Sequence, residues 1–113
     1  MASKVLLTGG TGFLGQHVQD AFRTADWKVV LLSRKNGDLR EVATARSLLR
    51  YYVPDVVVHL ASTCGGINAN RARPAEFFTD NMLMGINLVD ACLHAGVSRL
   101  IVAGTVCAYP LAP

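Results

Sequence analysis

Apolar residues lie along this chain in short continuous runs that alternate with longer stretches of helical periodicity. The continuous runs, rich in Val, Ile and Leu, are found at residues 4–8, 28–32, 55–60 and 99–103. Apolar residues recur every three or four positions in the segments between them, at residues 12–24, 38–52 and 74–94. A continuous run predicts a strand buried on both faces, and helical spacing predicts an amphipathic helix. The sequence therefore predicts the order β-α-β-α-β-α-β.

Strands that alternate with helices over short links are typical of an α/β fold, in which right-handed crossovers join parallel strands. We expect a Rossmann-type doubly wound parallel sheet with the strand order 3-2-1-4, truncated after the fourth strand. This order places a ligand crevice at the carboxyl ends of the first and fourth strands. Asp38 is the predicted N-cap of the second helix, and Pro74 and Gly96 are predicted to mark the two ends of the third.

The third predicted helix carries apolar residues on two sides. One stripe consists of Phe78, Met82, Val89 and Leu93, and the other of Phe77, Met84, Leu88 and Ala91. A helix that is apolar on two sides usually packs against two neighbours. We expect one neighbour to be the sheet and the other to be a partner subunit.

The link between the first strand and the first helix has the sequence Thr8-Gly-Gly-Thr-Gly-Phe-Leu-Gly15. We predict that Gly9 makes a tight turn, that Gly12 lets backbone approach a phosphate, and that Gly15 lets the helix pack closely on the strand. The N–H groups and the dipole at the helix start then favour a diphosphate. The pattern predicts a dinucleotide-binding loop, and the alternative is a glycine-rich turn without a ligand. Its candidate cofactor-binding residues are Gly9, Thr11, Gly12, Phe13, Leu14 and Gly15.

The residues after the second strand indicate which nicotinamide cofactor such a fold would take. A carboxylate there favours NAD because it accepts hydrogen bonds from both ribose hydroxyls, whereas an arginine accommodates the 2′-phosphate of NADP. This chain has Ser33-Arg34-Lys35 and no acid before Asp38, which favours NADP through Arg34, with NAD as the alternative. Arg34 and Lys35 could instead be ordinary surface cations. We expect Asp38 and Leu39 to border the adenine, and the ribose and pyrophosphate side to be lined by Leu60, Ala61 and Ser62.

The composition narrows the class of protein. Apolar residues make up 51% of the 113 residues, so we expect one globular domain. The net charge of +3 is mild and the basic residues are scattered among acids, which argues against a nucleic-acid partner. The 3 cysteines lack C-x-x-C spacing, so neither a disulfide framework nor a metal site is expected. Without a signal-like segment or a membrane-spanning run, we expect a cytoplasmic protein that does not bind membranes.

Several motifs resemble those of the extended short-chain dehydrogenases/reductases, the NAD-dependent epimerase/dehydratase family. They are the glycine-rich loop, Val58-His-Leu-Ala61 and Asn81. A narrower resemblance lies within residues 56–110, in Gly65-Gly-Ile-Asn-Ala-Asn70, Pro74-Ala-Glu-Phe-Phe78, Gly96-Val97 and Gly104-Thr-Val-Cys-Ala-Tyr-Pro110. These stretches resemble the GDP-L-fucose synthases. This resemblance implies an enzyme that epimerises and reduces GDP-4-keto-6-deoxymannose with NADPH, and therefore a nucleotide-sugar substrate.

The same resemblance implies two catalytic residues. Thr105 lies where the family has a serine whose hydroxyl binds the C4 carbonyl of the substrate. Cys107 lies where fucose synthases have a cysteine that acts as acid and base in epimerisation. A thiol suits proton exchange beside a ketone because its pKa is nearer neutrality than that of a hydroxyl. Without the family, Thr105 is a loop residue and Cys107 a small buried residue.

The family's Tyr-x-x-x-Lys pair, in which the lysine lowers the pKa of the tyrosine, does not occur in these 113 residues. We therefore expect residues 1–113 to be the N-terminal NAD(P)-binding Rossmann domain of such an enzyme, inactive alone and without its substrate domain. The alternatives are a non-catalytic NADP(H)-binding or self-associating module, and a chain that folds but binds no ligand. An uncovered edge strand tends to pair with another chain. We expect a homo-oligomer formed through helix 74–94 or through the fourth strand.

Overall fold

A computed structural model of the chain describes residues 3–60 and 74–103. The strands are β1 (Lys4–Thr8), β2 (Lys28–Leu32), β3 (Val56–His59) and β4 (Arg99–Val102), all parallel. The helices are α1 (Phe13–Thr24), α2 (Val42–Tyr52) and α3 (Pro74–Ala95). The predicted alternation and the Rossmann-type α/β class are confirmed. None of the described helices is long and apolar enough to cross a membrane.

The strand order is β2-β1-β3-β4, so the predicted order 3-2-1-4 is wrong. β3 lies beside β1, on the side away from β2, with Val57 in register with Leu6. The reason is burial, because Val57 and Val58 are buried on opposite faces of the sheet. A strand buried in this way needs neighbours on both edges and helices on both faces. The predicted order would have placed it at an open edge.

The corrected order also moves the ligand crevice. The chain passes from β1 to β2 on one side and then returns across β1 to reach β3 on the other. In an open parallel sheet, ligands bind at the carboxyl ends of the two strands that flank such a reversal. The crevice predicted between the first and fourth strands therefore lies between β1 and β3, at Thr8 and His59.

The two faces of the sheet bury separate apolar clusters. One face packs against α2 and α3, with the fully buried residues Leu6, Val57, Leu49 and Leu88 at its centre. The other face packs against α1, where Val5, Leu7 and Val58 meet Val18, Phe22 and Trp27. A right-handed crossover that reverses its direction along the sheet must change face. This is why α1 lies on one side while α2 and α3 share the other.

Helix α2 begins at Val42, later than the predicted start at Asp38. Its N-cap is Glu41, which makes no side-chain cap hydrogen bond, so the prediction of Asp38 as the N-cap is wrong. The Asp38 carboxylate instead accepts the backbone N–H of Arg40 at 2.9 Å, and Glu41 N–H donates to Asp38 O at 3.0 Å. These bonds form a local turn that competes with an earlier helix start.

The two apolar stripes of α3 have different surroundings. Met84, Leu88 and Ala91 are buried in the cluster beneath the helix, which confirms that the sheet covers this stripe. The side chain of Phe77 lies outside the described part of the chain. The other stripe is exposed, at 66% for Phe78, 47% for Met82, 43% for Val89 and 77% for Leu93. Nothing in the described part of the chain covers this second stripe.

Candidate functional site

The loop between β1 and α1 is shaped by two glycines. Gly9 has a φ of 72°, a left-handed conformation that costs glycine nothing, and the N–H of Gly12 donates to Gly9 O at 3.3 Å. A Cβ at Gly15 would overlap Gly9 O and lie 2.6 Å from Gly10 Cα. The predicted tight turn at Gly9 is confirmed, and Gly15 is closely packed, but not on the strand as predicted. The backbone that Gly15 approaches is that of the loop itself.

The N-terminus of α1 is open to a ligand. Its N-cap, Gly12, makes no side-chain cap hydrogen bond, and no acidic residue lies in the first turn. The first N–H groups of a helix lack partners within the helix, and the helix dipole adds partial positive charge there. An anion at this position would satisfy those donors.

The carboxyl ends of β1 and β3 are tied together by side chains. Thr8 Oγ1 lies 2.7 Å from His59 Nδ1, and the N–H of Leu60 donates to Thr8 Oγ1 at 3.1 Å. Both Thr8 and His59 are buried. Burial lowers the pKa of His59 from its ordinary value, because a charged imidazolium loses hydration there. His59 in its neutral form therefore joins the carboxyl ends of β1 and β3, where the chain reverses its direction across the sheet.

A cavity of about 490 Å³ opens at these strand ends. Its walls come from the glycine loop, the end of β2, the segment after β2, and helices α2 and α3. It brings together seven predicted cofactor-binding residues: Gly9, Thr11, Gly12, Arg34, Asp38, Leu39 and Leu60. Its remaining lining residues are not among those predicted: Thr8, Leu32, Ser33, Gly37, Arg40, Leu48 and Met84.

The lining residues that were not predicted differ in how far the sequence points to them. Thr8 ends β1, one of the two strands that flank the reversal, so the rule for parallel sheets locates it once the strand order is known. Leu32 ends β2, directly before the segment that carries Arg34. Leu48 and Met84 reach the cavity from α2 and α3. Their helical spacing marks them as core residues, and nothing local distinguishes them from other core positions.

Three predicted residues do not line the cavity. Phe13, Leu14 and Gly15 form the first turn of α1, and the side chains of Phe13 and Leu14 are exposed. Four further predicted residues lie outside the described part of the chain: Ala61, Ser62, Thr105 and Cys107. The binding and catalytic roles of all these residues stay predictions.

Two arginines line the cavity after β2. Arg40 donates to the Asp38 carboxylate from Nε at 3.0 Å and from Nη2 at 2.8 Å, and its Nη1 lies 3.4 Å from Asp80 of α3. The hydrogen bond from the Arg40 side chain lowers the pKa of Asp38 to about 2. Asp38 is therefore ionised, and its charge is compensated by Arg40. Arg34 adds a second cation to the same wall.

Helix α3 anchors the segment that carries Asp38 and Leu39. Asn87 is buried, and its Nδ2 donates to Leu39 O at 2.9 Å. Met84, one turn earlier on the same helix, lines the cavity. Helix α3 therefore fixes the position of the cavity wall that Asp38 and Leu39 form.

The chemistry of these walls fits a dinucleotide. The glycine loop lines the cavity up to Gly12, the N-cap of α1, which suits a pyrophosphate, and Leu39, Leu48 and Met84 offer apolar surface to a base. Arg34 offers a cation to a further phosphate. No group of three or more His, Cys, Asp or Glu side chains suited to a metal ion occurs among residues 3–60 and 74–103.

Comparison with known proteins agrees with this geometry. The model of the NAD dependent epimerase/dehydratase family matches residues 5–113. GDP-L-colitose synthase of Yersinia pseudotuberculosis is 35% identical over 107 residues, covering 95% of this chain and 35% of that protein. GDP-L-fucose synthase of Azorhizobium caulinodans is 36% identical over 107 residues, covering 95% and 34%. A solved GDP-L-fucose synthetase of Naegleria fowleri, bound to NADP, matches with a TM-score of 0.83 and 31% identity, covering 98% and 34%.

The chain spans about a third of the length of the curated relatives it matches, 35% of one and 34% of the other. The predicted nicotinamide cofactor is confirmed at the level of the family, which is described as NAD dependent and has a solved relative that holds NADP. The family match runs through the glycine loop, the sheet and α3 alike, and the cavity lies where a doubly wound sheet holds its ligand. The chain therefore belongs to the NAD dependent epimerase/dehydratase family.

Proposed function

We propose that this chain binds NADP(H) as the cofactor-binding part of a nucleotide-sugar epimerase or reductase. The observation that supports this most directly is the cavity at the carboxyl ends of β1, β2 and β3, which the glycine loop and Arg34 line together. The loop and the start of α1 hold the pyrophosphate, and Leu39 and Leu48 border the adenine. When bound, NADPH supplies the hydride that reduces a ketone.

The surroundings of Asp38 favour NADP over NAD. A carboxylate that selects NAD must accept hydrogen bonds from ribose hydroxyls. The Asp38 carboxylate already accepts from two nitrogens of Arg40, so that role would require this pair to open. Arg34, on the same wall, complements the charge of a 2′-phosphate.

We further propose a GDP-linked 4-keto-6-deoxy sugar as the substrate class of the complete protein. This is supported by the two curated relatives, a GDP-L-colitose synthase and a GDP-L-fucose synthase. In this proposal the Thr105 hydroxyl donates a hydrogen bond to the ketone oxygen. The Cys107 thiol exchanges a proton with the carbon beside the ketone.

The 113 residues by themselves are proposed to bind the cofactor without turnover, because they contain no Tyr-x-x-x-Lys pair. A purified chain mixed with NADPH and a GDP-4-keto-6-deoxy sugar should show no steady loss of absorbance at the NADPH band. Sustained NADPH oxidation would contradict this part of the proposal. A chain that binds NADPH without turnover would fit the cofactor-binding part of an enzyme and also a non-catalytic NADP(H)-binding module.

Titration with NADPH and NADH, followed by cofactor fluorescence, tests the cofactor assignment. We expect the chain to bind NADPH at least about tenfold more tightly than NADH, since a charge-assisted contact to the 2′-phosphate exists only for NADPH. Arg34→Gln should lower NADPH affinity by about tenfold and leave NADH affinity within about twofold.

Lys35→Gln is the matched control, because Lys35 is the adjacent cation but does not line the cavity. It should leave the affinity for both cofactors within about twofold of the wild type. Equal affinity of the wild type for NADPH and NADH would contradict the NADP assignment. A wild type that binds neither would contradict the proposed function and would favour a chain that folds but binds no ligand.

We also propose that the chain self-associates, through the exposed stripe of α3 or through β4. The stripe comprises Phe78, Met82, Val89 and Leu93, with Ile86 also exposed beside it. β4 is an edge strand among the described strands, and its Ile101 and Val102 are exposed. Contiguous apolar surface of this kind is uncommon on monomers.

A further inference from the structure

Gln19 of α1 is a buried polar residue with two well-defined partners. It is 9% exposed and lies under the glycine loop. Its Nε2 donates to Gly10 O at 2.6 Å, and its Oε1 accepts from Arg23 Nη1 at 2.6 Å. The side chain does not line the cavity.

The two partners allow one orientation of the Gln19 amide. A guanidinium has only donors and a backbone carbonyl only accepts, so Oε1 must face Arg23 and Nε2 must face Gly10. Gly10 itself is closely packed, since a Cβ there would lie 2.7 Å from Leu31 Cδ2 and 3.3 Å from Gln19 Nε2. The carbonyl of Gly10 is therefore fixed in direction by a side chain that Arg23 orients in turn.

The direction of this carbonyl determines the direction of the next N–H group. In a trans peptide the C=O and N–H bonds point in opposite directions, and the described chain has no cis peptide bonds. With Gly10 O held on Gln19, the N–H of Thr11 points away from the core under α1. Thr11 lines the cavity, whereas Gln19 does not.

We infer that Gln19 is a positioning residue for the diphosphate of the bound dinucleotide, acting through the Gly10 carbonyl to present the Thr11 N–H to it. The inference rests on the proposed function and adds to it a residue that never touches the ligand. Gln19 holds a donor in place before the ligand arrives, which lowers the cost of ordering the loop on binding.

The same helix provides a matched control in Gln16. Its Nε2 also donates to a carbonyl of the loop, that of Thr11, but at 3.3 Å and from an exposed position. Water can replace an exposed hydrogen bond of this length at little cost. Gln16→Met and Gln19→Met thus remove the same chemical group from two places on one helix, one exposed and one buried.

The test is calorimetric titration of the full 113-residue chain with NADPH and with adenosine 2′-monophosphate, which lacks a diphosphate. We expect Gln19→Met to weaken NADPH binding by about tenfold and to leave adenosine 2′-monophosphate binding within about twofold. Gln16→Met should change neither affinity by more than about twofold. Arg23→Met should give a smaller loss for NADPH than Gln19→Met, because it releases the orientation of the amide but keeps its donor.

Retained binding of adenosine 2′-monophosphate shows that a variant is folded. If Gln19→Met does not fold, Arg23→Met carries the test, since it keeps the donor to Gly10 and releases only the orientation of the Gln19 amide. Equal losses for the two ligands, or an unchanged NADPH affinity in a folded variant, would overturn the inference while the proposed function stands. A wild type without affinity for NADPH would overturn both.

Discussion

Two glycines that lie within helices have opposite surroundings. Gly15, in the first turn of α1, is in contact with the backbone of Gly9 and Gly10, so that a Cβ has no room. At Gly85, in the middle of α3, a Cβ would have no described heavy atom within 4 Å apart from its chain neighbours and the backbone of its own helix. The same substitution therefore has opposite expected effects at the two positions.

Gly15→Ala should destabilise the fold by about 2 kcal/mol, because the loop and α1 must separate to admit the methyl group. Gly85→Ala should stabilise it by roughly 0.5–1 kcal/mol, because alanine loses less backbone entropy in a helix. Urea unfolding followed by circular dichroism measures both. Wild-type stability in Gly15→Ala would show that the contact with the loop is not tight.

The buried His59 gives stability a dependence on pH. Burial lowers its pKa below the ordinary 6.5, so the unfolded chain takes up a proton at a higher pH than the folded chain does. Its contribution is fully present above pH 6.5 and is lost as the pH falls through the folded pKa. The hydrogen bond from Arg40 keeps Asp38 charged down to about pH 2, so Asp38 contributes stability above its ordinary 3.8 and loses it only at lower pH.

Unfolding free energies should therefore fall between pH 7.5 and pH 5 in the wild type. His59→Gln, which does not titrate, should be less stable at pH 7.5 but should show a flatter profile over this window. Parallel profiles for the two proteins would mean that His59 titrates alike in the folded and unfolded chains.

What the sequence reveals at this scale depends on distance along the chain. The turn at Gly9 and the close packing at Gly15 follow from one local motif, and both were predicted, although Gly15 packs on the loop and not on the strand. The contact between Thr8 and His59 joins residues 51 positions apart. It exists only because β3 pairs with β1, so the incorrect strand order concealed it.

At the scale of elements, the positions of strands and helices were predictable and their arrangement was less so. Each strand is marked by its own apolar run, but the order depends on which strands fill the centre of the sheet. The continuous run at residues 55–60 predicts burial on both faces, but so do the other three runs, and the sequence alone does not single out the central strands. The start of α2 was misplaced because the bonds between Asp38 and Arg40 form a turn that helical periodicity does not reveal.

The link from α3 to the wall of the cavity depends on one buried amide. Asn87→Leu removes the donor to Leu39 O and leaves that carbonyl buried without this partner, which should cost about 1–3 kcal/mol. Asn36→Leu is the control, because Asn36 accepts the N–H of Ser33 at 2.9 Å from an exposed turn where water can substitute. Its cost should stay below about 1 kcal/mol in the same chemical denaturation assay. Equal costs would contradict a special role for Asn87.

At the scale of the whole molecule, the exposed stripe of α3 predicts association. Met82→Glu combined with Val89→Glu should weaken a dimer formed through this stripe by at least about tenfold in sedimentation analysis, because two charges would have to be buried. Tyr51→Glu alters an even more exposed side chain, 78% exposed, on α2 and should have no effect. Loss of the dimer in Ile101→Lys alone would assign the interface to β4. A wild type that remains monomeric at high concentration would contradict both interfaces.

The cleft is built from two kinds of material. Around the proposed pyrophosphate position it offers main-chain N–H groups, which any side-chain sequence compatible with the turn would preserve. Beyond β2, residues 33–40 contribute the charged side chains of its described lining, Arg34, Asp38 and Arg40. Replacing residues 33–40 by a different sequence, with the rest of the fold unchanged, would therefore be enough to change the cofactor preference of this cleft.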